Sequence, residues 1–209
     1  ERALLLVDAD PDVAEAAVLP TLLSNLAAAY GMRLAGDREH NIAESARLLR
    51  RALEVVAIDT DGDTWATVQT NLANCLLEQA QVSDALDHLQ QALRWRSRER
   101  DPRDWAYTQL HLGVAHERQS RGQPGPDLLA AIDHTHEALE AAEEAGDEVL
   151  AGHALHNLAS QKLRMAQTGK APSAEGAALL VEAESHAVRG LQLRPPDSAP
   201  DLGGRALKT

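Results

Sequence analysis

Two histidines three residues apart, His153 and His156, are the closest this sequence comes to a metal-holding or reactive pair. On a helix that spacing puts both imidazoles on one face, a legitimate chelating arrangement. A zinc site needs a third protein ligand, and the residues expected beside them, Tyr107, Leu110 and Val114, do not supply it. The stretch "DTDGDT" at 59–64 has the acidic density of a calcium loop. However, Gly62 stands fourth where an EF-hand requires glycine sixth, and the twelfth position is Thr70 instead of a glutamate, so helix capping explains it better. The single cysteine, Cys75, lies among Ala and Leu with no neighbour that would activate it, and reads as core. His88 and His134 read as contacts between helices and His116 as packing. There is no phosphate-cradling glycine loop and no Ser-His-Asp pattern. The run "RWRSRERDPR" at 94–103 carries five arginines, and cations there complement the dipole at the end of a helix. Read this way, the chain has no catalytic residue, no cofactor and no metal.

What positions these residues is a repeat. "DTWATVQTNLANCL" at 63–76 returns as "RDWAYTQLHLGVAH" at 103–116, and the matching segments extend to four, with anchors at Leu26, Leu72, Leu112 and Leu158. A second family, "RRALEVV", "QQALRWR", "HEALEAA" and "SHAVRGL", has anchors at Leu53, Leu93, Leu139 and Val188. Leu53 to Leu72, Leu93 to Leu112 and Leu139 to Leu158 are each 19 residues apart, whereas Leu26 to Leu53, Leu72 to Leu93, Leu112 to Leu139 and Leu158 to Val188 span 27, 21, 27 and 30. Packed joints resist length change and surface loops tolerate it, so the constant interval is the rigid joint between units. Both families read as helices, including one from Val82 to Arg98. Asp61, Asp101 and Asp147 stand 11 residues before their anchors as N-caps, with Pro102 at a first helical position. Gly36, Gly122 and Gly169 fall where the first helices must stop. Small residues mark close helix approach: Ala27, Ala73, Gly113 and Ala159 on first helices, Ala52, Ala92, Ala138 and Ala187 on second ones.

The second unit, "NLANCLLEQAQVSDALDHLQQAL", resembles the core of a tetratricopeptide repeat, with Leu72, Ala73, Leu76, Ala85, Leu89 and Ala92 in that family's positions. Units here are 40 or 46 residues instead of about 34, and the closing proline is absent. The Trp-Ala-x-x-Gln opening in units of this length is similar to arrays in large bacterial signalling and conflict-response proteins, which sit beside a caspase-like protease or a nucleotide-binding ATPase module. Neither module is in this sequence. The resemblance implies an all-α fold, a right-handed α-solenoid of antiparallel helix hairpins. The expected organisation is the end of a preceding helix at 1–9, an array over 10–195 in four hairpins (10–58, 59–99, 100–145, 146–195), and a tail at 196–209. "RALLLV" at 2–7 resembles "RALEVV" at 51–56, from which a segment preceding Glu1 is expected.

In such a fold the first helices line a concave face. Positions five and two before each anchor and two, five and six after it are expected to face solvent there, and the ligand-contacting candidates are Asn74, Tyr107, Arg118, His153, His156 and Arg164. The family's carboxylate clamp is absent, since lysine occurs only at Lys162, Lys170 and Lys208. The expected partner is a protein or peptide, including another domain of the same parent chain. A net charge of −12 argues against nucleic acid, and no apolar run is long enough for a membrane span. One cysteine and no leader pattern place the chain in the cytoplasm. Two other expectations are a sensor array that controls an attached effector, and an enzyme using the His153/His156 region.

Overall fold

A computed structural model describes residues 13–33, 35–120, 125–167 and 174–193. Among the described residues there are eight α-helices and no strand: α1 (Val13–Gly31), α2 (Arg38–Val55), α3 (Ile58–Glu78), α4 (Val82–Ala92), α5 (Pro102–Ser120), α6 (Pro126–Glu144), α7 (Glu148–Gln167) and α8 (Ala174–Gln192). Each packs on the next in the chain, and α1, α3, α5 and α7 also touch in succession, whereas the even-numbered helices make no comparable row. The odd-numbered first helices therefore form the inner side of the array.

Three of the four first-helix starts are set by the expected aspartates. Asp61 accepts the Thr64 N–H at 3.0 Å, Asp101 that of Asp104 at 3.0 Å, and Asp147 that of Leu150 at 2.9 Å, each cap worth about 1 kcal/mol. At Asp61 the backbone breaks inside α3 (φ −151°, ψ 77°), so residues 58–60 are a separate turn leading into the capped helix. Asp37 caps α2 in the same way, through the His40 N–H at 2.7 Å. Gly36 lies in the variable turn with φ +91°, but α1 has already stopped at Gly31, so Gly36 shapes the entry to the Asp37 cap of α2 and does not end α1. The calls at 1–9, Gly122, Gly169 and 196–209 lie outside the described residues.

With no phenylalanine, the core is built from leucine and alanine in two clusters that meet on α5. Leu112 and Ala115 face the α1–α4 side, and Ala106 and Leu110 face α6 and α7. α5 and α6 approach closely at Gly113, where an added Cβ would lie 2.2 Å from Thr135 Oγ1 and 3.1 Å from the Ala131 carbonyl of α6. Three expectations need correction. The first is that α4 stops at Ala92, not Arg98, and 93–101 form a non-helical connector, because Trp95 turns back onto Gly62 of α3. The equal 19-residue intervals therefore hide unequal joints, two short links at 56–57 and 145–147 and this long one. Second, α8 meets α7 through Gly176, Leu179, Ala183, His186, Gly190 and Leu193, with Ala187 and Val188 beside that stripe and exposed. Among the described residues no first helix follows to cover Val188. The third concerns the inner stripe: Ser24, Thr70, Leu77 and Leu110 are buried, not solvent-facing. Neighbouring first helices touch and close over that side, bringing Thr70 Oγ1 to 3.5 Å from Thr108 Oγ1.

Candidate functional site

The inner row encloses a cavity of about 520 Å³ lined by three successive first helices. Helix α3 contributes Thr67, Thr70 and Asn71, α5 Arg103, Asp104 and Tyr107, and α7 Val149, Leu150 and His153, with Asp147 at its cap. Arg96 reaches in from the connector. Its side chain is only 6 % exposed, and it joins the second hairpin to the third. Nη1 donates to Thr108 Oγ1 (2.7 Å), Thr70 Oγ1 (3.0 Å) and the Asp104 carbonyl (3.3 Å), while Nη2 donates to Thr67 Oγ1 (3.0 Å) and Asp104 Oδ2 (3.3 Å). Burial pulls its pKa below the ordinary arginine value, with Asp104 opposing.

The same connector explains the rest of the arginine run. Trp95 occupies the space left by Gly62, where a Cβ would lie 2.2 Å from the indole. The indole N–H donates to Asp63 Oδ1 at 2.7 Å, Arg100 lies 4.1 Å from the ring centroid, and Arg100 also pairs with Asp63 at 2.8 Å. Arg98 binds Glu144 at 2.6 Å and Glu140 at 3.2 Å on α6, and Arg103 binds Asp147 at 2.8 Å. These arginines bridge units instead of capping α4 by charge alone, which corrects the dipole reading. "DTDGDT" is thus a cap at Asp61, a seat at Gly62 and an acceptor at Asp63.

Of the six candidate residues, Tyr107 and His153 share the cavity. The Tyr107 ring meets His111 edge-on at 4.5 Å, and burial pushes its phenol pKa up. His111 is driven down to about 4 by burial, and by the nearby Arg96, Arg118 and His153, so its imidazole is neutral at pH 7. Arg118 lies elsewhere, donating to the Leu77 carbonyl at the end of α3 beside a second cavity of about 620 Å³ that includes Ala80, Gln81 and Val82. Arg164 is held by Glu117 at 3.0 Å. Asn74 and His156 are exposed and line neither cavity, so the structure does not gather all six in one place. Arg96 and Arg103 were not among the sequence candidates. The signal for Arg96 was a tryptophan, Trp95, where the other units have Val55, Ala141 and Gly190, marking a connector that folds inward.

Three further histidines and Cys75 have structural partners. His88 Nδ1 lies 2.5 Å from Gln69 Oε1 and His134 Nδ1 2.8 Å from Gln109 Oε1, the same contact in two units. His116 stacks on His134 with centroids 5.3 Å apart. Cys75 is buried, donates to Ser45 Oγ at 3.3 Å, and has a thiol pKa pushed up by burial. Among the described residues no three His, Cys, Asp or Glu side chains are placed to hold a metal, and no helix is long and apolar enough to cross a membrane. No protein-family model matches the chain, and no curated protein matches it significantly.

Proposed function

We propose that the chain is a non-catalytic interaction module, a right-handed tetratricopeptide-like solenoid in the cytoplasm that binds a protein or peptide segment along its inner face. The observation that supports this most is the cavity shared by α3, α5 and α7, since three consecutive units contribute side chains to one concavity. An extended segment lying across the row would touch each helix in turn. Tyr107 offers a partly exposed aromatic ring held by His111, the kind of rigid anchor on which interfaces depend. Selection of binders to the full chain from a displayed library of random peptides tests the reading. Tyr107→Ala with His153→Ala should weaken the selected peptides by roughly 30-fold, about 2 kcal/mol, with helical circular dichroism unchanged. Unchanged affinity would move binding off this face.

A second reading, a sensor array acting on an attached effector, draws support from the irregular connector at 93–101. A ligand in the cavity would touch Arg96, whose partners lie in both the second and third hairpins, and so would act on the angle between them.

A further inference from the structure

Helix α8 is joined to the array by little apolar contact. Among its described residues only Ala183 is buried, whereas α2, α4 and α6 each bury four or more. Gly190 lets α8 and α7 approach, since a Cβ there would lie 3.4 Å from Leu155 Cβ and 3.7 Å from the Gly152 carbonyl of α7. On the opposite side of α8, Leu180, Val181, Val188 and Leu191 are exposed. With so little burial favouring the docked helix, the polar contacts between α8 and α7 weigh heavily in its position.

Those contacts centre on Lys162 of α7, a buried lysine whose ammonium meets two α8 side chains. Nζ donates to Glu182 Oε2 at 2.5 Å and to His186 Nε2 at 3.3 Å. An ammonium has no lone pair, so His186 must accept, which requires a neutral imidazole with its proton on Nδ1. A proton on Nε2 removes that acceptor and sets a second cation 3.3 Å from the first. The other charged and titratable groups facing His186 give no relief. Arg189 of α8 is paired with Glu143 of α6 at 2.5 Å, and His136 of α6, itself 3.4 Å from Glu140, adds only positive charge when it titrates. Glu182 would then serve two cations in one partly buried site. Away from α7 the conflict vanishes, because Lys162 is hydrated and Glu182 keeps His186 as its i,i+4 partner on α8. Burial, and after it Lys162, hold the His186 pKa below the ordinary histidine value, with Glu182 opposing.

We propose that α8 is a pH-sensitive latch, docked on α7 while His186 is neutral and released when it gains a proton. Because the docked helix depresses the His186 pKa, the released helix binds the proton first. Docking therefore weakens as pH falls below about 6.5, by at most about tenfold per pH unit for one group. Glu182, whose pKa Lys162 holds down, stays ionised where His186 begins to titrate. Release uncovers Lys162 and the α7 surface beneath Gly190. The latch is independent of what the inner face binds, since α8 lines neither cavity. Hydrogen exchange of the full chain, read by mass spectrometry at about pH 7.5 and about pH 5.5 and corrected for intrinsic rates, tests it. Protection of the α8 amides should fall by roughly 3- to 10-fold between the two. His186→Gln, which cannot titrate, should abolish that loss in α8 and leave the pH response of α5 as in wild type. Lys162→Met keeps the stem and removes the opposing cation, so it should abolish most of the loss with α8 still docked. An α8 already unprotected at the higher pH, protection that does not change with pH, or the same loss in His186→Gln would overturn the proposal. Where His186→Gln leaves α8 undocked at the higher pH, Lys162→Met decides, and an undiminished loss there overturns it.

Discussion

Arg96→Ala is the perturbation that reaches furthest into this molecule, because the guanidinium is buried between α3 and α5 in the one long joint. Five hydrogen bonds disappear, two of them at 3.3 Å and weak. Thr70 and Thr108 are not stranded, since their hydroxyls still donate to the Ala66 and Asp104 carbonyls at 3.0 Å. The loss is thus the charge-assisted bonds and the packing of the stem, less the cost of keeping a cation out of water, and nets about 2–4 kcal/mol. Arg96→Met keeps most of the packing and should cost only about 1 kcal/mol. Arg100→Ala breaks an exposed pair and should cost at most about 1 kcal/mol. Urea unfolding followed by circular dichroism measures all three. Because hairpins in an array stabilise each other through their interfaces, Arg96→Ala should also broaden the transition and lower its apparent slope. An Arg96→Ala midpoint within error of wild type, or equal losses for Ala and Met with no broadening, would refute a joint held by these bonds.

Gly113→Ala should destabilise by about 1–2 kcal/mol, overpacking against Thr135 outweighing the helix propensity gained; Thr135→Ala should relieve part of that loss in a double-mutant cycle, and a raised melting temperature for Gly113→Ala alone would contradict the packing. Ala80 ends α3 with φ +59°, where its N–H bonds Leu77 O and the Gln81 N–H bonds Leu76 O, so Ala80→Gly should stabilise by about 0.5–1 kcal/mol in thermal unfolding. His111 has its folded pKa depressed to about 4, so the unfolded chain binds the extra proton first, and stability should fall by about 1–3 kcal/mol as pH drops from about 6.5 to 4. Denaturant titrations across that range should show a shallower slope in His111→Gln, the residual slope coming from His88, His134 and His186, which are shifted down mainly by burial.

The parts of this fold that could be read from the sequence are those whose causes are local. An aspartate caps through a backbone N–H three residues away, so Asp61, Asp101 and Asp147 announce themselves wherever the period places them. Leu72, Leu112 and Leu158 are nearly or fully buried for the same periodic reason. The connector could not be read that way, because Trp95 is seated by Gly62 and Arg96 is satisfied by Thr67 and Thr70, all more than twenty residues away. Seen alone, the run of five arginines has the helical propensity to continue α4. The gap opposite Gly62 that seats Trp95 lies outside that local run. The inner stripe failed for a similar reason: counting from an anchor gives the direction of Thr70 or Leu110 on its own helix, but not whether a neighbouring first helix lies over it.

This has a consequence for the cavity. The joints at 56–57 and 145–147 are short links between helices and leave little freedom. The joint at 93–101 instead depends on side chains, with Trp95 on Gly62, Arg98 on Glu140 and Glu144, and Arg96 among three threonines. Arg96 within this joint and Arg103 just after it are also cavity-lining residues. Exposed pairs such as Arg98 with α6 contribute little singly and are screened by salt, so the buried Arg96 network carries most of the joint's electrostatic stabilisation. A ligand bound at the cavity adds its binding free energy to the folded state that contains this joint. A ligand bound there would therefore also stabilise the longest of the three described joints.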